Sequence, residues 1–592
     1  MVNRIWCETV IPILWRNPWC YSINYKKISL YSIITSYLSD DIKELLTKRR
    51  ILIIGQSLAF DYLSFCMNIN IKVIDDIISI GLLSEYNQFL LQEEIYSLLV
   101  KKCPEIKYLN ICGTYEIVYL PEAKVRLESL CELTCDTLID SRYFYRLAHI
   151  CQQIQRIIVI NKNLVKVNHG TTKLIEFQKN LKYFRWVDEF KEYNYWELFE
   201  DPYTEIFNVL KKHANTLKHF DISLQFDYPI NFYDIYNDCN YTFLQYTILE
   251  LHNLKILEIN SPIFLNNDDF NKKLEMVAYR NLEILEIDFI DIYQVNCMVK
   301  NSLYLRELRI NDFHRNDDNF YNYSLNFIRT ICENCHLIEY LSIPVFPLSE
   351  NHFIEFEKLL KKCQNLRSLN FKEVYYEEGR ELEFGDYLSN VLIREASTNL
   401  RDIRIPYDIK FSLKTLETFL EKWKGRPAVS LYFDNAYFYR KDNLYMKLFD
   451  KYKIEKVIKD INVGSCSSLL RDLLSIGTTF VVVDCGGGTL DLTTRKLVGN
   501  NQLQLSESKI IMMNFNLWFK FRKNVKEPFT GDNREFNYEL DIGNIAPSLL
   551  QYVSESGREW MEEWVININY NGIINLIRTQ QINKNAVVQQ CF

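Results

Sequence analysis

One glycine-rich stretch near the C-terminal end of the chain has residues of the types that can bind a phosphate. Residues 479–495 read TFVVVDCGGGTLDLTTR, and this pattern predicts a short buried strand, a tight turn and a returning strand. Consecutive glycines let backbone N–H groups approach a phosphate closely, and a nearby carboxylate can hold Mg²⁺, usually through water. The candidate cofactor-binding residues are Asp484, Gly486, Gly487, Gly488 and Thr489.

No catalytic constellation is found elsewhere in the sequence. Residues 332–336 read CENCH and match the C-x-x-C-H pattern of covalent haem attachment. They occupy a polar corner that other parts of the chain fill with KKCPE or KKCQN, which favours a structural pair of cysteines instead. The eight histidines show no metal-ligand spacing, and no G-x-S-x-G nucleophile elbow occurs. We therefore predict no catalytic residue and no metal site.

A short apolar phrase, L-x-x-L-x-I, recurs along most of the chain. Its clearest copies start at Leu254, Leu282 and Leu305. Weaker copies start at Ile106, Ile154, Leu181, Leu217, Ile338, Leu366 and Leu400. Most copies start roughly 20 to 40 residues apart, which is typical of stacked structural repeats. The second and third apolar residues of a copy lie on one face of a short strand, so stacked copies share a continuous core.

Amphipathic helices are predicted between these strands. One, over residues 90–102, has Leu91, Ile95, Leu98 and Leu99 at helical spacing, and others are predicted around Phe353–Leu360 and Leu413–Leu420. Near the N-terminus the run Ser39-Asp40-Asp41 predicts the cap of a helix. Helix, polar corner and strand in alternation predict an α/β solenoid that forms an irregular arc. An ordinary α/β domain with amphipathic strands is the alternative.

Composition and charge narrow the class of protein. The chain has 592 residues, 69 basic and 76 acidic, and a formal charge of -7, which argues against a general nucleic-acid or anionic-membrane surface. The sequence shows neither a signal peptide nor an apolar run of 18 residues. Its 16 cysteines lack disulfide-domain spacing, so we expect free thiols, such as Cys103, Cys151 and Cys363, in a reducing compartment. We expect a cytoplasmic protein, with the nucleus as the alternative.

The repeated unit resembles the leucine-rich repeat of the irregular, intracellular type. Residues 1–20, MVNRIWCETVIPILWRNPWC, resemble the last helix of an F-box and the segment after it, as in fungal F-box proteins with leucine-rich repeats; residues 2–7 and 13–18 carry the match. The resemblance implies the substrate receptor of a cullin–RING ubiquitin ligase, in which the F-box docks on the adaptor subunit and the concave repeat face holds a target. The family's earlier helices are not found, so we expect a truncated F-box-like segment. The alternative is an amphipathic cap on the first repeat, formed by Trp6, Ile13, Leu14 and Trp15.

The glycine-rich stretch resembles the second phosphate-binding hairpin of the actin-like ATPases, in the heat-shock chaperone branch. Residues 526–570 resemble a further segment of fungal members of that branch. The resemblance implies that Asp484 lies on the metal side of ATP and that Gly486, Gly487, Gly488 and Thr489 contact phosphate. The first phosphate hairpin and the adenosine-binding segment of that family are not found, so a relic hairpin or a gene fusion is the alternative to nucleotide binding.

These observations predict three segments: a truncated F-box-like helical segment (1–25), a leucine-rich-repeat solenoid (26–440) and a partial actin-like α/β fragment (441–592). We expect a non-enzymatic protein-binding receptor that recruits a target protein for ubiquitylation. Its expected partners are that target and the ligase adaptor subunit, without nucleic acid, membrane or cofactor. The alternative is an ATP-binding, heat-shock-chaperone-like protein that uses the glycine-rich hairpin with ATP and Mg²⁺.

Overall fold

A computed structural model describes most of the first 463 residues and five short strands after them. The described ranges are 4–21, 24–81, 87–112, 117–162, 168–189, 203–224, 242–260, 268–314, 319–373, 379–440, 443–463, 479–485, 489–499, 502–512, 539–541 and 565–567. The chain divides into two compact units. The first comprises Met1–Tyr432 and Lys447–Ile461, and the second comprises Phe433–Met446 and Asn462–Phe592.

Fourteen described strands form one sheet, and each strand lies next to its neighbour in sequence. They are β1 (Asn68–Asn70), β2 (Tyr108–Asn110), β3 (Glu132–Asp136), β4 (Arg156–Asn161), β5 (Tyr183–Asp188), β6 (His219–Ser223), β7 (Ile256–Asn260), β8 (Ile284–Asp291), β9 (Glu307–His314), β10 (Tyr340–Pro344), β11 (Ser368–Lys372), β12 (Asp402–Ile405), β13 (Val429–Phe433) and β14 (Ile458–Val463). From β1 to β12 every pair is parallel. Parallel neighbours in chain order require a crossover after every strand, and helices supply most of these crossovers.

The described helices alternate with the strands over most of the chain. They are α1 (Arg4–Leu14), α2 (Asn24–Ser36), α3 (Asp40–Lys48), α4 (Ile71–Ile78), α5 (Gln88–Lys102), α6 (Ala123–Leu127), α7 (Ser141–Ile150), α8 (His169–Glu176), α9 (Thr204–Leu210), α10 (Thr242–Glu250), α11 (Asp268–Leu274), α12 (Ile292–Val299), α13 (Phe320–Asn334), α14 (Glu350–Lys362), α15 (Glu381–Glu395), α16 (Leu413–Trp423), α17 (Ala436–Arg440) and α18 (Asn443–Ile454). The predicted α/β class and the repeated helix–strand alternation are confirmed. In the described part of the chain, no helix is long and apolar enough to cross a bilayer.

The repeated apolar phrase forms the core of the solenoid-like sheet. In all ten predicted copies, each of the three apolar side chains is at most 2 % exposed. Rings on the strands meet rings on the helices: Phe207 of α9 lies 6.1 Å from Phe220 of β6, and Phe356 of α14 lies 5.9 Å from Phe371 of β11. The core therefore lies between the sheet and its row of helices.

The structure adds copies of the phrase that the sequence pattern did not reveal. Strand β3 follows Leu130 and buries Leu133 and Cys135, and β1 follows Cys66 and leads into Ile71. Both copies have a cysteine at an apolar position, which hides them from a search for leucine and isoleucine. With Leu130 included, the interval from 106 to 154 becomes two equal steps of 24 residues.

Local signals explain where several helices begin and end. The side chain of Ser39 accepts a hydrogen bond from the N–H of Ile42, which confirms the predicted cap of α3. Cysteines occupy the C-caps of α5, α7, α13 and α14, and all four are buried free thiols. Free cysteine behaves as a small apolar side chain, so it suits the tight corner between a helix and the next strand.

The N-terminal segment packs on β1 and on the turn before it by two tryptophans, rather than by its apolar helix end. Trp19 is buried and its ring N–H donates to the backbone oxygen of Asn68 in β1 at 2.6 Å. Trp15 is buried against the ring of Tyr62, 4.7 Å away. Ile13 and Leu14, which a simple amphipathic cap would bury, are instead 60 % and 41 % exposed. Trp6 has no described side chain, so its part in the cap stays a prediction.

The second unit contains two small antiparallel sheets in its described part. One has three strands, β15 (Thr479–Cys485), β16 (Thr489–Gly499) and β17 (Gln502–Met512). The other has two, β18 (Glu539–Asp541) and β19 (Val565–Asn567). The predicted strand and returning strand around the glycine-rich turn are confirmed, because β15 pairs with β16 in an antiparallel register. The predicted domain boundaries at residues 25 and 440 stay predictions.

Candidate functional site on the open strand face

The side chains that alternate with the core residues form a second face of the sheet, which we call the open strand face. Successive side chains of a strand point to opposite sides, so from β3 to β12 the first and third residues of each strand face away from the helices. Parallel pairing aligns these residues in two rows. The first row contains Glu132, Arg156, Tyr183, His219, Ile256, Ile284, Glu307, Tyr340, Ser368 and Asp402. The third row contains Thr134, Ile158, Arg185, Asp221, Glu258, Glu286, Arg309, Ser342, Asn370 and Arg404.

One network of charged and aromatic side chains spans β4 to β7, and we call it the β4–β7 cluster. Its members are Arg156, Tyr183, Arg185, His219, Asp221 and Glu258. The guanidinium carbon of Arg156 lies 3.6 Å from the centre of the Tyr183 ring, and that ring meets the His219 ring edge-on at 4.3 Å. Arginine over a tyrosine face is a cation–π contact of about 0.5–1 kcal/mol at an exposed site. These stacked groups therefore hold one another in place across three strands.

The acidic half of the β4–β7 cluster is held by three polar contacts. Arg185 Nε lies 3.1 Å from Asp221 Oδ2, and the Tyr183 hydroxyl donates to the same oxygen at 3.4 Å. His219 Nε2 lies 3.1 Å from Glu258 Oε2, close enough for the imidazole to donate a hydrogen bond. The geometry around Arg185 makes an ion pair rather than a hydrogen bond, because its Nε–H does not point well at the carboxylate.

Burial and charge move the two carboxyl groups of this cluster in opposite directions. Burial raises the pKa of Asp221, and the nearby Glu258 carboxylate raises it further, although Arg185 and His219 oppose this. The hydrogen bond from His219 lowers the pKa of Glu258. The two acids thus differ in how readily they ionise, which is expected when like charges share a partly desolvated site.

A second network, the β8–β11 cluster, lies further along the same face. Its members are Glu286, Glu307, Arg309, Tyr340 and Asn370. Arg309 Nη2 pairs with Glu307 Oε2 at 2.7 Å, and its guanidinium carbon lies 4.5 Å from the Tyr340 ring centre. The Tyr340 hydroxyl accepts a hydrogen bond from Asn370 Nδ2 at 3.0 Å. Burial raises the pKa of Glu286. An arginine on a tyrosine ring therefore occurs in both clusters.

Two isoleucines lie between the clusters in the first row, whereas Glu258 and Glu286 are direct neighbours in the third row. Ile256 and Ile284 occupy neighbouring first-row positions on β7 and β8, and both are half-buried. Apolar side chains between charged and aromatic groups are typical of surfaces that bind other proteins, where tyrosine and arginine are enriched and supply most of the binding energy. The arrangement can therefore anchor a chain laid across the strands.

The predicted phosphate site lies in the second unit, around strands β15 and β16, for which the structure describes the backbone only. Asp484 belongs to β15 opposite Asp491, and Thr489 is the first residue of β16. Gly486, Gly487 and Gly488 lie outside the described residues. Binding of ATP and Mg²⁺ by these five residues stays a prediction.

The C-x-x-C-H pattern lies in a corner, as predicted. Cys332 is in the last turn of α13 and Cys335 is its C-cap, and both are buried free thiols. His336 is exposed in the turn before β10. The two thiols thus fill the space under the corner, and their burial raises the pKa of both.

Sequence reasoning did not find the close approach of His219, Asp221 and Glu258. One donor atom from each of these three residues lies within 4.8 Å of the other two. His219 and Glu258 are 39 residues apart and follow no short metal-ligand motif. The signal was present only in the aligned copies of the repeated phrase, which put Asp221 and Glu258 side by side on adjacent strands.

Comparison with known proteins places the chain in no established group. No model of a known protein family matches the sequence, and no curated protein is significantly similar to it.

Proposed function

We propose that the chain is a leucine-rich-repeat binding protein that holds a protein target on its open strand face and recruits it for ubiquitylation. The observation that carries the proposal is the pair of in-register rows on that face, with an arginine on a tyrosine ring at two places. Solenoid proteins bind partners on surfaces of this kind, because the stacked strands offer a long row of side chains on a rigid backbone.

The proposed binding surface is already ordered before a target arrives. The tyrosine rings of both clusters are held by an arginine and by polar neighbours. Side chains that are fixed in advance lose less conformational entropy on binding, about 0.5–1.5 kcal/mol less for each long side chain. The surface therefore suits firm binding of one target segment.

The arginines indicate the chemistry of that segment. The side chains of Arg156, Arg185 and Arg309 are 41 %, 42 % and 43 % exposed, although each lies beside an acidic residue. Guanidinium groups have donors in a fixed fork and bind carboxylates in pairs of hydrogen bonds. We expect the target to bring acidic side chains to these positions and an apolar one to Ile256 and Ile284.

The connection to a ligase would be made by the N-terminal segment. The exposed Ile13 and Leu14 at the end of α1 leave an apolar surface, while Trp19 fixes the segment to β1 and Trp15 packs on Tyr62 just before it. An exposed apolar surface beside a firmly packed anchor fits a contact with an adaptor subunit. The truncated F-box-like segment would thus bind the adaptor of a cullin–RING ligase.

Affinity purification of the full chain from its own cells tests both halves separately. Tyr340→Ala should reduce recovery of the target at least about 10-fold, the loss expected of an interface anchor, and leave the adaptor in place. Ile13→Asp should reduce recovery of the adaptor and leave recovery of the target unchanged. Tyr145→Ala removes an exposed tyrosine from the helix row (α7) and should change neither. Target recovery that Tyr340→Ala does not alter would refute the proposed surface, and absence of ligase subunits would refute the ubiquitylation role.

A further inference from the structure

Three potential metal ligands meet on the open strand face. His219 and Asp221 are the first and third residues of β6, and Glu258 is the third residue of β7. One ring nitrogen and one oxygen of each carboxylate all lie within 4.8 Å of one another. The parallel register fixes this approach, because Asp221 and Glu258 are paired neighbours and His219 lies on the same side of its strand two residues earlier.

The spacing of the donor atoms is close to that of a coordination shell. Ligands at about 2.0–2.1 Å from a tetrahedral zinc ion lie about 3.3 Å from each other. The ring nitrogen of His219 and the Glu258 oxygen are already 3.1 Å apart. The other separations in the set are within 4.8 Å, so they exceed the tetrahedral spacing by at most about 1.5 Å.

The donor types select the class of metal. One imidazole nitrogen with two carboxylate oxygens suits Zn²⁺ and the neighbouring divalent transition metals, whereas Mg²⁺ and Ca²⁺ prefer oxygen alone. Three protein ligands leave one tetrahedral position open, as in zinc sites that exchange water or another ligand. The open position would face away from the helices, on the surface that the strands present.

The surroundings supply the supporting contacts that metal ligands need. Asp221 is only 5 % exposed, and its Oδ2 accepts a hydrogen bond from the Tyr183 hydroxyl. Hydrogen-bonded partners behind a ligating carboxylate orient it and raise metal affinity. Asp221 and Glu258 are paired neighbours on adjacent strands, so a dication between their carboxylates would remove the repulsion between the two charges.

We propose that His219, Asp221 and Glu258 bind one divalent transition-metal ion, with Zn²⁺ the best match, on the open strand face. The site does not depend on the proposed receptor function, because it needs only the folded chain. Arg185 competes with the metal ion for the Asp221 carboxylate. If the ion pair between Arg185 and Asp221 persists, no metal ion binds.

Titration of the purified full chain with Zn²⁺, after treatment with a chelator, tests the proposal. We expect one saturable site per chain. Since loss of an outer contact alone costs about 10- to 100-fold in metal affinity, His219→Ala should weaken binding by at least about 100-fold. Glu258→Gln keeps the shape of the side chain and should weaken binding similarly. His252→Ala removes an exposed histidine outside the triad and should leave affinity unchanged.

Cysteine thiols are the main source of false binding, because the chain has 16 of them. Titration with Co²⁺ separates the two cases, since thiolate ligands give a charge-transfer band in the near ultraviolet that nitrogen and oxygen ligands do not. We expect a d–d spectrum without that band, lost in Glu258→Gln. Zn²⁺ should also raise the melting temperature of the wild type more than that of Glu258→Gln. No saturable binding, or binding that both triad variants retain, would overturn the proposal.

Discussion

Replacing Asp188 by asparagine should loosen the sheet at β3 to β5. Asp188 is 1 % exposed at the end of β5. It accepts hydrogen bonds from the indole N–H of Trp186 at 2.8 Å, from the Tyr203 hydroxyl at 3.0 Å and from the amide of Asn161 at 3.0 Å. Asn161 in turn accepts from the hydroxyl of Thr137, just after β3. One buried carboxylate therefore connects three successive strands.

The expected cost follows from these three bonds. An asparagine has the same shape, but it lacks the charge, and its NH₂ group must face at least one of the donors. Hydrogen bonds to a charged group contribute about 1.5–3 kcal/mol and neutral ones about 0.5–1.5, while a buried donor left without an acceptor costs about 1–3 kcal/mol. We expect Asp188→Asn to lower the free energy of unfolding by about 4 kcal/mol.

Urea denaturation followed by tryptophan fluorescence measures this loss, and Trp186 reports directly from the site. Hydrogen exchange should show faster exchange of amides in β3 to β5 and little change in β10 to β12, because a stacked-repeat protein opens locally. Glu333→Gln makes the same chemical change at an exposed position of α13 and should alter stability by less than about 0.5 kcal/mol. A loss below about 1 kcal/mol for Asp188→Asn would show that the Asp188 carboxylate does not hold these strands together.

Three further predictions concern pH, packing and nucleotide. His352 is buried between the hydroxyls of Ser324 and Ser349, at 2.9 and 2.7 Å, and burial lowers its pKa to about 4. In the unfolded chain this histidine takes up a proton near pH 6.5, so the free energy of unfolding should fall by up to about 3 kcal/mol as the pH drops from 6.5 to 4. Denaturant titrations at several pH values should show this pH dependence in the wild type and in His336→Gln. His352→Gln should lack it. A methyl group on Gly385 would overlap the backbone oxygen of Lys410, so Gly385→Ala should lower the free energy of unfolding, measured in urea, by about 2–3 kcal/mol. The control Gly55→Ala should be nearly neutral, because a methyl group there meets no atom within 4 Å. If the glycine-rich hairpin is a relic, millimolar Mg-ATP should leave the melting temperature unchanged; a clear rise would support the ATP-binding alternative.

The repeated phrase made the fold predictable because each copy encodes the same strand. Leu254, Leu257 and Ile259 show the rule: two spacings, of three and two residues, place three side chains in the core. Copies with a cysteine at an apolar position, Cys66 or Cys135, escaped notice because the phrase was defined by leucine and isoleucine, although free cysteine is also a common core residue.

The candidate site was harder to predict, because it depends on contacts between strands far apart in sequence. A polar residue between two core residues is expected on any strand, so a single residue such as Asp221 or Arg309 does not indicate a functional site. The candidate site becomes recognisable only in the structure, where the strand register places Asp221 beside Glu258 and Arg309 beside Tyr340. At the N-terminal helix the sequence pattern predicted buried residues that the structure exposes. Its exposed Ile13 and Leu14 could not be told from core residues by pattern alone.

The most direct test of the binding surface is site-specific photo-crosslinking in the full chain. A photoreactive amino acid at Ile284, between the two clusters on the open strand face, should crosslink the target protein in cells. The same amino acid at Leu382, an exposed position of α15 in the helix row, should not. If the target binds the open strand face, Ile284 crosslinks and Leu382 does not, and adding Tyr340→Ala removes the crosslink from Ile284. Equal crosslinking from both positions, or crosslinking from Leu382 alone, would contradict binding on that face.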